Sequence, residues 1–223
     1  MEYEYKPFLI GIDMDMVSAD YETPGGIFLQ LWEKRLPGVK YLGCKESPHW
    51  MVEKNYHLFH QPIINKMFMK PPKGFYLRLE PMKGAIDAIK ELQKIAEVVM
   101  VTTPVYEADG HNLSLKELAE RDQLWSRVVT EKKEWLRNYL GKDAPPLIPL
   151  SDKTMFHGDI LIDDRPGSGE AKRRKPSYIH VLYDDNYLYN RNRKVKHKMN
   201  WGTYTKVIPL VLEEVEEKRR IAA

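Results

Sequence analysis

Phe8-Leu9-Ile10-Gly11-Ile12-Asp13-Met14-Asp15 is the stretch on which the fold turns. A short apolar run follows Pro7 and stops at two aspartates spaced one residue apart, which suits a strand buried on both faces with carboxylates at its end. Further along, Lys83 to Ala96 carries Ile86, Ile89, Leu92 and Ile95 at three-residue spacing, the mark of an amphipathic helix. Val98-Val99-Met100-Val101 follows as a second buried strand. A helical stretch from Leu113 to Leu140 stops at Gly141, a usual helix terminator. Leu147 to Leu150, Ile160 to Ile162 and Tyr178 to Tyr183 read as further short strands. A closing helix from about Thr203 to Arg219 would turn Val207, Leu210, Val211 and Val215 inward. Strands alternating with helices predict an α/β fold, a mostly parallel sheet with helices on both faces. Between Gly26 and Met69 the chain is aromatic-rich and loosely helical, broken by Pro37, Pro48 and Pro62. This predicts a small helical cap, residues 21–79, inserted into a core formed by 1–20 and 80–223.

Composition narrows the function classes. The chain has 223 residues, 43% of them hydrophobic, with 5 Trp, 13 Tyr and 6 Phe, enough for one substantial core and too much for a disordered tail. The 35 basic and 32 acidic residues nearly cancel to +3, which disfavours a protein that coats nucleic acid by neutralising phosphates. One cysteine, Cys44, excludes an intrachain disulfide and a multi-cysteine zinc site, and is typical of a reducing compartment. The start lacks a basic region followed by a long apolar run, and no apolar run is long enough to span a bilayer. The expectation is a soluble cytoplasmic protein without a membrane partner; a homodimer is left open.

In a parallel sheet, ligands gather at the carboxyl ends of the strands. Those ends read Asp13-Met14-Asp15, Thr102-Thr103-Pro104, Ser151-Asp152-Lys153 and Asp163-Asp164. Crowded carboxylates repel one another, and a hard cation with oxygen ligands, such as magnesium, holds them ionised together. A lysine and a threonine beside them would hold phosphate oxygens where negative charge builds up in phosphoryl transfer. An aspartate can itself attack phosphorus.

These motifs resemble, in order, the four motifs of the haloacid dehalogenase superfamily, and within it the 5'(3')-deoxyribonucleotidase family. Ile10 to Val17 resembles the first, Val101-Thr102-Thr103-Pro104 the second, Ser151-Asp152-Lys153-Thr154 the third, and Ile160 to Pro166 the fourth. Leu79-Glu80-Pro81, His180-Val181-Leu182 and Trp201 extend the likeness over nearly the whole chain. The resemblance implies a Rossmann-like core and a magnesium-dependent phosphatase of (deoxy)nucleoside monophosphates working through an aspartyl-phosphate. It implies Asp13 as nucleophile and Asp15 as general acid, then base. Asp13, Asp15 (through its backbone carbonyl) and Asp163 would hold magnesium, with Asp164 supporting them. Thr102, Thr103 and Lys153 would bind phosphate, and Tyr21, Trp50 and Tyr76 would line the base and sugar pocket. Three departures stand out: Met16 where the family has glycine, Ser151 where it has arginine, and Tyr21 and Tyr76 where it has phenylalanine. Two alternatives stay open: the same machinery acting on another small phosphate ester or a polynucleotide 3'-phosphate, and an impaired enzyme that binds nucleotide without turnover.

Taken singly, each residue has a plainer explanation. Asp13 and Asp15 could cap a turn, Thr102 a strand end, and Lys153 could be an ordinary surface lysine. Trp50 and Tyr76 could be packing. His180 lies in an apolar strand and reads as a satisfied core residue, and Cys44 as inert. The basic runs Lys172 to Lys175 and Arg191 to Lys198 read as solvated loops. The segment from Val105 to Arg127 carries no functional reading.

Overall fold

In a computed structural model, residues 6–104, 115–165 and 175–222 are described. In chain order the elements are β1 (Leu9–Ile12), β2 (Ala19–Asp20), α1 (Ile27–Arg35), α2 (Gln61–Met69), β3 (Glu80–Pro81), α3 (Ala85–Ile95), β4 (Glu97–Thr102) and α4 (Leu115–Leu140). They continue with β5 (Leu147–Pro149), β6 (Ile160–Asp163), β7 (Ile179–Tyr183), β8 (Lys198–Met199) and α5 (Tyr204–Ala222). The main sheet runs β5-β4-β1-β6-β7-β8 and every pairing in it is parallel. The fold is therefore α/β, and all six carboxyl ends share one edge. Chain order changes direction at β1, which has β4 on one side and β6 on the other, so a crevice opens beyond its end.

The apolar run of β1 is buried on both faces. Ile10 and Ile12 are fully buried in the main core, while Val99, Val101, Phe156 and Leu161 form a smaller cluster. Gly11 is what lets that cluster close. A Cβ there would lie 2.7 Å from Phe156 Cε1 and 2.9 Å from Val101 Cγ2, closer than real contacts allow.

Two helical expectations need correction. Ile95 is 48% exposed, and the buried face of α3 is Ala85, Ala88, Ile89 and Leu92. Steps of three residues fall short of a turn by about 60° each, so a strict three-residue series walks off the buried face. On α5, Leu210 is 60% exposed and Ile208 takes its place beside Val211 and Val215, because only steps of three and four from Ile208 stay on one side. Gly141 stops α4 as expected, at φ +69°. The beginning of the predicted helix, Leu113 and Ser114, lies outside the described residues, as do 105–112.

Residues 21–79 leave and return at one place, because β2 and β3 pair antiparallel with Asp20 opposite Glu80. Aromatic rings dominate their packing. Trp32 lies 4.9 Å from both Tyr41 and Tyr56, and Phe28 lies 5.2 Å from Tyr41, ring centre to ring centre. These rings are continuous with the sheet core. The return is pinned to α4: Glu131 accepts hydrogen bonds from the backbone N–H groups of Gly74 (2.8 Å) and Tyr76 (3.3 Å). Arg127 bridges Glu131 and the Pro71 carbonyl, at 3.0 and 2.6 Å. No described helix is long and apolar enough to cross a membrane.

Candidate active site

Asp13 directly follows β1, and its N–H still donates to the Ile162 carbonyl at 2.9 Å, so the strand ladder aims the residue. The chain then turns tightly: Met14 O accepts from Ser18 N and Ala19 N, and Met16 N bonds Ala19 O. Met16 sits in this turn at φ +58°, the left-handed region that favours glycine. Its sulfur faces the Tyr21 N–H at 3.4 Å, and its carbonyl accepts from the Tyr187 hydroxyl at 2.7 Å. The neighbouring Val17 carbonyl accepts from Trp201 Nε1 at 2.6 Å. The turn is thus held from the C-terminal part of the chain.

The two aspartates keep different company. Asp13, Asp163 and Asp164 form a buried acidic group whose ligand atoms lie within 4.8 Å of one another. Lys153 Nζ bridges Asp13 Oδ1 at 2.7 Å and Asp163 Oδ2 at 2.8 Å. Asp15 instead meets Lys132, whose Nζ donates to both carboxylate oxygens at 2.8 and 2.7 Å and to Thr102 Oγ1 at 2.7 Å. Lys132 is fully buried, and its Nζ stands 4.6 Å from the centre of the Tyr76 ring. Burial first, and then the neighbouring Asp15 and Tyr76, push the Tyr21 hydroxyl well above its ordinary value, which places the three groups together. Thr103 follows Thr102, half-buried.

Electrostatics mark the acidic group as short of positive charge. Burial, followed by the nearby Asp163 and Asp15 charges, pushes Asp13 up to about 7 against the downward pull of Lys153. Asp164 is pushed well above the carboxylate range by burial and by Asp163 and Asp13. At Asp163 burial again acts upward and is the largest single cause, but the Lys153 charge, His180 and the hydrogen bonds from Lys153 and the Arg165 N–H together outweigh it and the net shift is down. Lys153 is raised, its two carboxylates overcoming burial. Three buried carboxylates, two of them bridged by the Lys153 ammonium, fit an additional hard cation with oxygen ligands, and magnesium suits that donor set.

Asp164 is a junction. Its Oδ2 accepts from the Tyr189 hydroxyl at 2.8 Å and from Trp50 Nε1 at 3.1 Å, and its carbonyl accepts from Asn190 Nδ2 at 3.0 Å. The guanidinium of Arg165 stands 4.8 Å from the Trp50 ring centre. Trp50 is therefore at the Asp164 end of the site, and Tyr21 and Tyr76 are at the Asp15 end.

Asp13, Asp15, Thr102, Lys153, Asp163 and Asp164, far apart in sequence, thus meet in one row. Asp152 is a cap, accepting from Thr154 N at 2.8 Å and Thr154 Oγ1 at 2.6 Å, and Ser151 is exposed. His180 approaches the Asp163 carbonyl at 3.3 Å, and burial lowers its pKa. Burial pushes the Cys44 thiol far up, which keeps it an unreactive thiol. Pro166 and the basic residues 172–174 lie outside the described residues, and Arg191, Arg193 and Lys194 are exposed.

Sequence reasoning missed Lys132, Tyr187, Tyr189 and Asn190. For Lys132 a signal existed: it lies four residues after Val128 and three before Trp135, on the buried face of α4. A lysine at such a position needs a buried partner.

A family model described as "5' nucleotidase, deoxy (Pyrimidine), cytosolic type C protein" matches residues 7–212. The human mitochondrial 5'(3')-deoxyribonucleotidase is 30% identical over 77% of this chain and 68% of its own length. The human cytosolic-type 5'(3')-deoxyribonucleotidase is 27% identical over 77% of each chain. A Bordetella pertussis protein, provisionally named as a 5'(3')-deoxyribonucleotidase, is 29% identical over 90% of this chain and 95% of its own.

Proposed function

Because the chain belongs to the 5' nucleotidase, deoxy (pyrimidine), cytosolic type C family, we propose that it is a magnesium-dependent phosphatase of deoxynucleoside monophosphates. The observation that carries this reading is the division of labour between the two aspartates. Asp13 lies in the acidic group and Asp15 lies against Lys132 and Thr102.

Asp13 attacks phosphorus as its carboxylate, forming an aspartyl-phosphate while the phosphorus–oxygen bond to the nucleoside breaks. Asp15 donates a proton to the departing nucleoside oxygen. It then takes a proton from the water that attacks the aspartyl-phosphate, which frees phosphate and restores Asp13. Thr102, Thr103 and Lys153 hold the phosphate oxygens, Lys153 also keeps the carboxylates of Asp13 and Asp163 in register, and Lys132 orients Asp15 and Thr102. Asp13, Asp163 and the Asp15 carbonyl would hold magnesium, with Asp164 fixing the arrangement. Magnesium, when bound, neutralises charge on the phosphate and the carboxylates.

Residues 21–79 act as a cap over this row. Tyr21, Trp50 and Tyr76 line the nucleoside pocket, where aromatic faces suit a base. A cytoplasmic setting is supported by the single cysteine and the cytosolic-type relative. The test is phosphate release from 5'- and 3'-(deoxy)nucleoside monophosphates, sugar phosphates and a 3'-phosphorylated oligonucleotide, with and without magnesium. Magnesium-dependent turnover of deoxynucleotides, absent in Asp13→Asn, is the expected result. Nucleotide binding without turnover anywhere in the panel would overturn the enzyme reading.

A further inference from the structure

Trp50 is the place where residues 21–79 touch the acidic group. Its indole N–H donates to Asp164 Oδ2 at 3.1 Å, and that same oxygen takes the Tyr189 hydroxyl at 2.8 Å. Arg165, the next residue, sets its guanidinium 4.8 Å from the Trp50 ring centre. One side chain is thus fixed by two consecutive residues at the end of β6. Asp164 is in turn one of the three buried carboxylates whose ligand atoms lie within 4.8 Å of one another.

We propose that Trp50 links the nucleoside pocket to the acidic group, so that a nucleoside and a divalent cation each raise the other's affinity without touching. The proposal rests on the nucleotidase reading only in taking Trp50 as a wall of the nucleoside pocket. A cation held by Asp13, Asp163 and the Asp15 carbonyl, beside Asp164, would hold the Asp164 carboxylate in one position. A held carboxylate holds the indole N–H, through a charge-assisted hydrogen bond. A base that stacks on an already ordered ring loses less side-chain freedom on binding, so it binds more tightly. Linkage makes the effect reciprocal: a base that fixes Trp50 favours the Asp164 position that suits the cation. Trp50 is a positioning residue in this scheme, acting on the acidic group through Asp164.

The probe is thymidine, which has no phosphate and so cannot reach a cation through phosphate oxygens. Its Kd is measured by calorimetry or ligand-observed NMR, with saturating magnesium and with chelator. In the wild type magnesium is expected to tighten thymidine about fivefold or more, a usual size for coupling between sites. In Trp50→Phe, which keeps an aromatic ring and loses the N–H, the factor should shrink to under about twofold. This ratio is insensitive to a uniform loss of pocket affinity. Equal thymidine affinity with and without magnesium in the wild type overturns the proposal, and that measurement does not depend on how the variant folds. A Trp50→Phe protein that keeps the full factor overturns it too. Linkage can fail while deoxynucleotides are still turned over, which leaves the nucleotidase reading standing. Absence of thymidine binding under both conditions overturns the linkage and the pocket assignment together.

Discussion

Lys132 Nζ donates to both carboxylate oxygens of Asp15, at 2.8 and 2.7 Å, from a fully buried position on α4. The third donor contact of the ammonium goes to Thr102, which places the charge between the proposed proton-transfer residue and the proposed phosphate ligand. Lys132→Met keeps the length of the side chain and removes the charge. It should cost about 100-fold or more in kcat/KM, the usual loss when a donor to developing charge is removed. Asp15 is 27% exposed and can turn to water, so the stability loss should stay at about 1–3 kcal/mol. Steady-state kinetics and a melting curve check both, and wild-type turnover in this variant would remove Lys132 from the mechanism.

Met16 tests whether the departure from glycine in the first motif matters to the chemistry. Its φ of +58° costs a residue with a Cβ roughly 1–2 kcal/mol, and Met16→Gly relieves that strain. The same change removes a half-buried thioether that packs on the core and faces the Tyr21 N–H. Burial of that size is worth a similar amount, about 1–1.5 kcal/mol, so the melting temperature should move by under about 3 °C. Phosphate release should stay within about twofold, because the sulfur is turned to Tyr21. A large gain in rate would show that the side chain obstructs Asp13.

Gly11→Ala addresses the packing that seats β1. The new methyl would meet Phe156 Cε1 at 2.7 Å and Val101 Cγ2 at 2.9 Å, so the ring must shift. Overpacking of this kind costs about 1–3 kcal/mol, readable as a lower urea midpoint. Adding Phe156→Leu should recover part of the loss, since the two sites share one space. Independent, additive effects would contradict this account.

Glu214 contributes to the acid limb of stability. Hydrogen bonds from Lys196 and then His197, with Lys218 beside them, push its carboxyl from 4.5 down to about 2. A folded-state value below the unfolded one stabilises the fold at pH above about 4.5, and the contribution is lost as pH falls toward 2. Glu214→Gln should therefore be less stable than wild type at neutral pH and converge with it toward pH 2. Parallel stability curves over that range would show that these contacts are not linked to the titration.

Five of the six strands of the sheet were legible because each is a short apolar run with polar residues close behind it, and the row of carboxylates follows once such runs lie parallel; β8 was not, because Lys198 closes a basic run that reads as solvated loop. Ile95 and Leu210 misled for a geometric reason: apolar identity and approximate spacing do not fix a helix face to within the 60° that separates buried from exposed. Lys132 was hidden by its type, since a lysine on a charged helix suggests solvent, and only its register with Val128 and Trp135 says otherwise. Tyr187, Tyr189 and Asn190 were not legible at all. Their value depends on how the chain turns after β7, which brings them to Met16 and Asp164.

The turn after Asp13 is fastened by Tyr187 and Trp201, 171 and 184 positions further along. During synthesis Asp13 leaves the ribosome well before these two fasteners. A nascent chain thus carries Asp13 long before it carries a site. Any product cut short before Trp201 would leave the Val17 carbonyl without its indole donor and the Met16 turn loose. Catalytic competence would then arrive in one step once Trp201 is in place, rather than growing as the chain lengthens.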